Sequence, residues 1–111
     1  MEDGDALRFC YVTCRSAEEA RAIGRAVVAE RLAACANLLG GVESLYWWKG
    51  ALEESREVAL ILKTRAALVP ALTQRVKALH GYEVPCVVAL PIVGGNADYL
   101  AWVAAETRAP G

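Results

Sequence analysis

The spacing of hydrophobic and polar positions changes period several times along the chain, and each change predicts an element. From Leu7 to Cys14 the residues alternate, with Leu7, Phe9 and Tyr11 on one face and Arg8, Cys10 and Val12 on the other, which predicts a strand. The period then becomes helical. Ser16-Ala17-Glu18-Glu19 matches a capping box, in which the Ser16 hydroxyl accepts from an early helix N–H and Glu19 reaches back to the Ser16 amide. The helix is expected to run to about Arg31, burying Ala20, Ile23, Val27 and Val28 and leaving Arg21, Arg25 and Glu30 in water. Cys35 to Trp48 reads as an extended run and Leu52 to Thr64 as its return. A bulge or bend is expected at Gly40-Gly41 and a turn at Lys49-Gly50, where Gly50 can take positive φ. On the return arm Val58, Leu60 and Leu62 alternate with Ala59, Ile61 and Lys63; burial on both sides predicts a central place in the sheet. A second helix carries Leu68, Val69, Leu72, Val76 and Leu79, with Pro70 in its first turn and Gly81 stopping it after His80. Val84 to Val93 reads as the last strand, restricted to a sheet edge by Pro85 and Pro91. Asn96 caps a short final helix, with Asp98 near its positive end and Tyr99, Leu100 and Val103, with Trp102 nearby, anchoring it.

The order β-α-β-β-α-β-α contains two split βαβ halves. It predicts an α+β fold: a ferredoxin-like βαββαβ sandwich with an antiparallel sheet in the order 4-1-3-2, a long hairpin and a C-terminal helix. One domain is expected across residues 1–111, with 1–5 and 107–111 as flexible ends. The hairpin is out of scale with such a domain. Its first arm would stretch about 45 Å at roughly 3.3 Å per residue, whereas a compact body of this length has a radius of gyration of about 13 Å, hence a diameter of roughly 35 Å. Three of the chain's eight aromatic residues, Tyr46, Trp47 and Trp48, sit at its tip. An exposed apolar tip marks a partner surface, so self-association through the arm is expected.

Composition agrees. The hydrophobic fraction is 56%, above the usual 45–50% or so, which leaves apolar surface for subunit contacts. A net charge of -1 with interspersed signs offers no basic stripe for a phosphate backbone, so nucleic acid is not an expected partner. Apolar runs fall short of the roughly 18 residues a membrane span needs. The acidic start, Met1-Glu2-Asp3-Gly4-Asp5, lacks the features of a secretory signal, so a cytoplasmic location is expected. A disulfide framework among Cys10, Cys14, Cys35 and Cys86 is then not expected.

Candidate chemistry gathers at the one histidine, His80, followed three residues later by Glu83. Imidazole and carboxylate at this spacing can share an ion, and a thiolate beside them favours copper or zinc. In the predicted topology Cys14 ends the first strand at the same end of the sheet, which makes Cys14, His80 and Glu83 a reasonable cluster. Cys35 begins the second strand at the opposite end and joins only through strand curvature or from a neighbouring chain. The bland alternative has His80 capping its helix and Glu83 hydrogen-bonding across a subunit interface. Enzyme readings find no support: nothing positions a Ser-His-Asp or Cys-His arrangement, Cys14-Arg15-Ser16 is too short for an anion loop, and Phe9 and Tyr11 alone make no RNA-stacking surface.

The chain resembles the CutA family of divalent-cation-tolerance proteins. The matches are Arg31-Leu32-Ala33-Ala34-Cys35 with Asn37, Tyr46-Trp47-Trp48-Lys49-Gly50, Lys63-Thr64, His80 with Tyr82-Glu83-Val84-Pro85, Leu90-Pro91-Ile92, and Gly95-Asn96 with Tyr99-Leu100 and Trp102. They span residues 7–105. The resemblance implies a homotrimer with hairpins interlocked between subunits, copper or other divalent-cation binding, and a non-catalytic role in metal tolerance. It points to Cys14, Cys35 and His80 as copper ligands, and Tyr46, Trp47, Trp48 and Tyr82 are expected at the trimer interface. The chain departs from the family pattern at Gly81 and Gly40, where Pro is usual, at Lys49, where Glu is common, and at Ala51, where Lys is common. Two other classes of function fit the same shape: a PII-like signalling trimer holding a small molecule between subunits, and a structural module that anchors a partner protein.

Overall fold

A four-stranded antiparallel sheet in the order β2-β3-β1-β4 organises the chain, as its hydrophobic alternation predicts. The structure is a computed structural model that describes residues 4–109. The elements run β1 (Leu7–Cys14), α1 (Ala17–Ala29), β2 (Cys35–Trp48), β3 (Ala51–Arg65), a 3-10 turn (Ala66–Leu68), α2 (Val69–Leu79), β4 (Val87–Pro91) and α3 (Ala97–Ala105). The expected loose ends at residues 1–3 and 110–111 lie outside the described residues. Further in, Asp5 pairs with Arg65, and Thr107 is buried, with its Oγ1 accepting from Arg65 Nε.

The core forms where α1 and α2 cover one sheet face. Cys10, Val12 and Cys14 of β1, Leu60 and Leu62 of β3, Ile23 and Val27 of α1, and Leu72 and Val76 of α2 are all buried there. Strand pairing sets Cys10 beside Leu62, Val12 beside Leu60 and Cys14 beside Val58, so the even positions of both strands point into the core. The odd positions, Phe9, Tyr11 and Thr13 with Ile61 and Lys63, face the other way. Tyr99 of α3 lies over part of that second face, its hydroxyl 3.3 Å from Lys63 Nζ. Val103 is the buried anchor of α3, whereas Tyr99 and Trp102 keep about two-fifths of their surface exposed.

Two boundaries differ from expectation. Helix α1 stops at Ala29 because Arg31 turns left-handed (φ 65°), letting the Leu32 and Ala33 amides donate back to the Val27 carbonyl. Strand β4 starts at Val87 rather than Val84, because Pro85 has no N–H for the ladder and residues 81–86 carry the chain round the end of the sheet.

The hairpin follows the sequence closely. One extra residue in β2 shifts the register between Leu39 and Val42, with Gly41 at φ 76°, and the tip closes through Lys49 (φ 48°) and Gly50 (φ 81°). The arm gives the molecule its long axis, with extents of 43 × 27 × 26 Å. Leu45, Trp47 and Leu52 stand on one side of it with 60–74% of their surface exposed. Among the described residues, no helix is long and apolar enough to cross a membrane.

Candidate metal centre

Three donor side chains converge at the end of the sheet where β1 finishes. The thiol of Cys14, a carboxylate oxygen of Glu19 and an imidazole nitrogen of His80 all lie within 4.8 Å of one another. Each comes from a different element. Cys14 is the last residue of β1, Glu19 stands in the first turn of α1, and His80 is the C-cap of α2, its amide bonded to the Val76 carbonyl. The connectivity brings them together: β1 and β3 are antiparallel, so the helices that follow them also run in opposite senses. The start of α1 therefore lies beside the end of α2.

Glu19 is held by the capping box, with one change from expectation. Ser16 Oγ accepts from the Glu19 amide at 3.1 Å, but Glu19 Oε1 accepts from the Arg15 amide, also at 3.1 Å, rather than from Ser16. Its Oε2 accepts from the Gly81 amide at 2.9 Å. One carboxylate thus ties the N-terminus of α1 to the loop that follows α2. The His80 side chain is fully buried. Its Nε2 lies 2.8 Å from the Thr13 carbonyl and 3.8 Å from Glu19 Oε1, and its Nδ1 accepts the Tyr82 N–H at 3.1 Å. With Nδ1 accepting, Nε2 carries the ring proton and donates to Thr13.

Burial, then the nearby Glu19 and Glu57 carboxylates, push the Cys14 thiol up from 9.0 to about 12. Burial likewise lifts Cys10 to about 11. Both folded thiols hold protons that the unfolded chain releases above pH 9. Their contribution to stability is complete below pH 9 and is lost as pH rises toward 11–12, by on the order of 1 kcal/mol per pH unit for each thiol. Urea midpoints measured from pH 8 to 11 are expected to fall more steeply in the parent chain than in Cys14→Ser. Parallel profiles would count against this assignment.

The residues fit a cation. Donors on a four-coordinate ion with bonds of 2.0–2.3 Å sit about 3.6 Å apart, so the cluster needs only a modest contraction. One sulfur, one nitrogen and one oxygen form a donor set that suits zinc or copper. The cost is local: the Cys14 proton must leave, and His80 must give up a hydrogen bond.

Of the expected ligands, Cys14 and His80 meet and Glu83 and Cys35 do not join them. Glu83 is two-thirds exposed and its carboxylate lies 3.3 Å from Lys49 Nζ at the hairpin tip. Glu19 takes its place. Cys35 pairs with Lys63, five residues along β3 from the partner of Cys14, and its sulfur lies 3.4 Å from Tyr99 Oη. Of the expected interface residues, Tyr46, Trp48 and Tyr82 line a groove of ≈ 870 Å³ on the open sheet face, with Tyr11, Glu57 and Cys86. Trp47 stands on the opposite side of the arm. Glu57 is nearly buried in the groove wall, where it accepts from Tyr82 Oη at 2.9 Å.

Residues 8–106 match the family model described as CutA1 divalent ion tolerance protein. "Protein CutA" of Homo sapiens is 50% identical over 103 residues, covering 93% of this chain and 58% of that protein. The "Divalent-cation tolerance protein CutA" of Thermus thermophilus is 49% identical over 96 residues, covering 86% of this chain and 93% of that protein. The crystal structure of CutA1 from Oryza sativa superposes with a TM-score of 0.89 at 46% identity, covering 93% of this chain and 94% of that one. The chain thus spans little more than half the length of its human relative and nearly all of its bacterial one.

Proposed function

Because the chain belongs to the CutA1 divalent ion tolerance family, we propose that it captures a divalent cation, copper in preference to zinc, at Cys14, Glu19 and His80. It does so as a homotrimer, without catalysis, and serves metal tolerance. The convergence of three donors from three elements within 4.8 Å carries this reading. Copper is preferred because it stands above zinc in affinity for such N/O/S sites and because a thiolate and an imidazole suit it. Cys35 contributes only if a neighbouring copy supplies it, since its own strand sets it at the far end of the sheet. The exposed side of the hairpin arm, with Leu45, Trp47 and Leu52, supports burial against sister subunits. The free state of all four cysteines suits the reducing cytoplasm.

Equilibrium copper titration tests the ligands. The double variant Cys14→Ser, His80→Ala is expected to lose stoichiometric uptake while keeping the mass of the assembly. Tight uptake retained by that variant rejects these ligands. The groove on the open face favours a second reading, a PII-like trimer that holds a small molecule between subunits, because its size matches an ordinary ligand pocket. A nucleotide or metabolite that raises the melting temperature of the metal-free chain would move the balance to that reading.

A further inference from the structure

Both nitrogens of His80 already have partners: Nε2–H donates to the Thr13 carbonyl and Nδ1 accepts the Tyr82 N–H. Among the described residues, no buried side-chain nitrogen or oxygen lacks a hydrogen bond. A cation needs a lone pair on one of the two ring nitrogens. If Nδ1 supplies it, the Tyr82 N–H must withdraw from that lone pair. If Nε2 supplies it, the ring stays neutral only when the proton passes through solvent from Nε2 to Nδ1. An Nδ1–H facing the Tyr82 N–H then sets two donors against each other. The one remaining route strips the ring to an imidazolate, which removes its last proton. On either neutral route the Cys14 thiol gives its proton to water, and the Tyr82 amide has to move.

That amide is pinned from both sides of the sheet. Tyr82 Oη donates to Glu57 in the groove wall at 2.9 Å, and the adjacent Gly81 amide donates to Glu19 on the helix side at 2.9 Å. The Tyr82 ring packs against the His80 ring with centroids 4.7 Å apart and lies 5.7 Å from the Arg15 guanidinium. We propose that the Tyr82–Glu57 hydrogen bond is a latch on the metal centre. Closed, it holds His80 against Thr13 and Tyr82 and keeps both ring nitrogens from a cation. Opened from the groove, it frees the loop and with it the imidazole. The inference rests on Cys14, Glu19 and His80 being a cation centre. It links the two faces of the sheet: a contact in the groove that takes Glu57 from Tyr82 raises cation affinity, and by reciprocity a captured cation loosens Tyr82.

The sign separates a latch from a support. Cutting a support weakens capture; cutting a latch strengthens it. Tyr82→Phe keeps the ring and the amide and removes only the phenol. It is expected to bind zinc roughly tenfold more tightly than the parent chain, the scale of one hydrogen bond to a charged group. Glu57→Gln weakens the same bond from the other side and is expected to shift affinity in the same direction, so the test survives if one variant fails to fold. Zinc serves as the probe because it is diamagnetic, and the single histidine means a long-range ¹⁵N–¹H spectrum reports His80 alone. The metal-free chain is expected to show the Nε2–H tautomer, and the Tyr82 amide is expected to lose exchange protection once zinc binds. Zinc binding that Cys14→Ser abolishes but neither latch variant tightens would overturn the latch and leave the centre standing, as would an Nδ1–H tautomer in the metal-free chain. Binding that survives Cys14→Ser with His80→Ala, or no uptake by any form, overturns both.

Discussion

A chain carrying Trp47→Glu and Trp48→Glu is expected to sediment as a folded monomer, close to the 11.9 kDa of one parent chain, under conditions that would assemble the trimer proposed for the parent. Trp47 is 74% exposed with Leu45 and Leu52 beside it, and Trp48 lines the groove on the other side of the arm. Both sides of the arm therefore offer apolar surface to a neighbour. Buried interface tryptophans commonly contribute about 2–4 kcal/mol each, and a buried carboxylate in their place opposes association further. At about 1.4 kcal/mol per decade, the association constant should fall at least roughly a thousandfold. The fold should survive, because no residue from 45 to 52 belongs to the core. Sedimentation with circular dichroism measures both outcomes. A double variant that keeps the parent mass would show that other surfaces hold the subunits together.

The largest loss of stability is expected from Leu60→Ala. Leu60 is fully buried at the middle of β3, paired with Val12 on one side and Leu38 on the other. Helix α1 lies so close that a methyl group added at Gly24 would meet Leu60 Cδ1 at 3.2 Å. Three packed elements limit how far the site can collapse around a missing isobutyl group. The cost should reach about 2–5 kcal/mol, against a total of about 5–15 kcal/mol for a domain of this kind. Urea unfolding reads it directly. Leu52→Ala, on the exposed side of the arm, supplies the contrast: the same chemical change there should leave the midpoint of an isolated subunit nearly unmoved. Equal losses at the two positions would mean that burial is not what Leu60 contributes.

The sheet was legible because each strand carries its own burial signature. Apolar residues at both parities of Val58 to Lys63 put β3 inside the sheet, and Pro91 put β4 at its rim. The cluster of Cys14, Glu19 and His80 was half legible. Cys14 and His80 followed from topology, since both lie at the end of the sheet where β1 finishes. The carboxylate did not, because Glu83 is near His80 in sequence while Glu19 is near it in space. A capping-box reading also hid Glu19, since it already explains that residue locally. The missed signal was the opposed sense of the two helices, which sets the first turn of α1 beside the last residue of α2. The Thr13 and Tyr82 contacts to His80 had no sequence signal, as both involve backbone groups that every residue carries.

The offset at Gly40 and Gly41 restricts how related chains can vary in length. Because one additional residue there reverses the parity of β2, Val42, Ser44, Tyr46 and Trp48 share a side with Glu57, Ser55, Glu53 and Ala51. Adding or removing a single residue beyond that point would exchange Trp48 for its neighbour on the groove side. Insertions that preserve the surface must therefore come in pairs, and the finger can lengthen or shorten only by whole pleats.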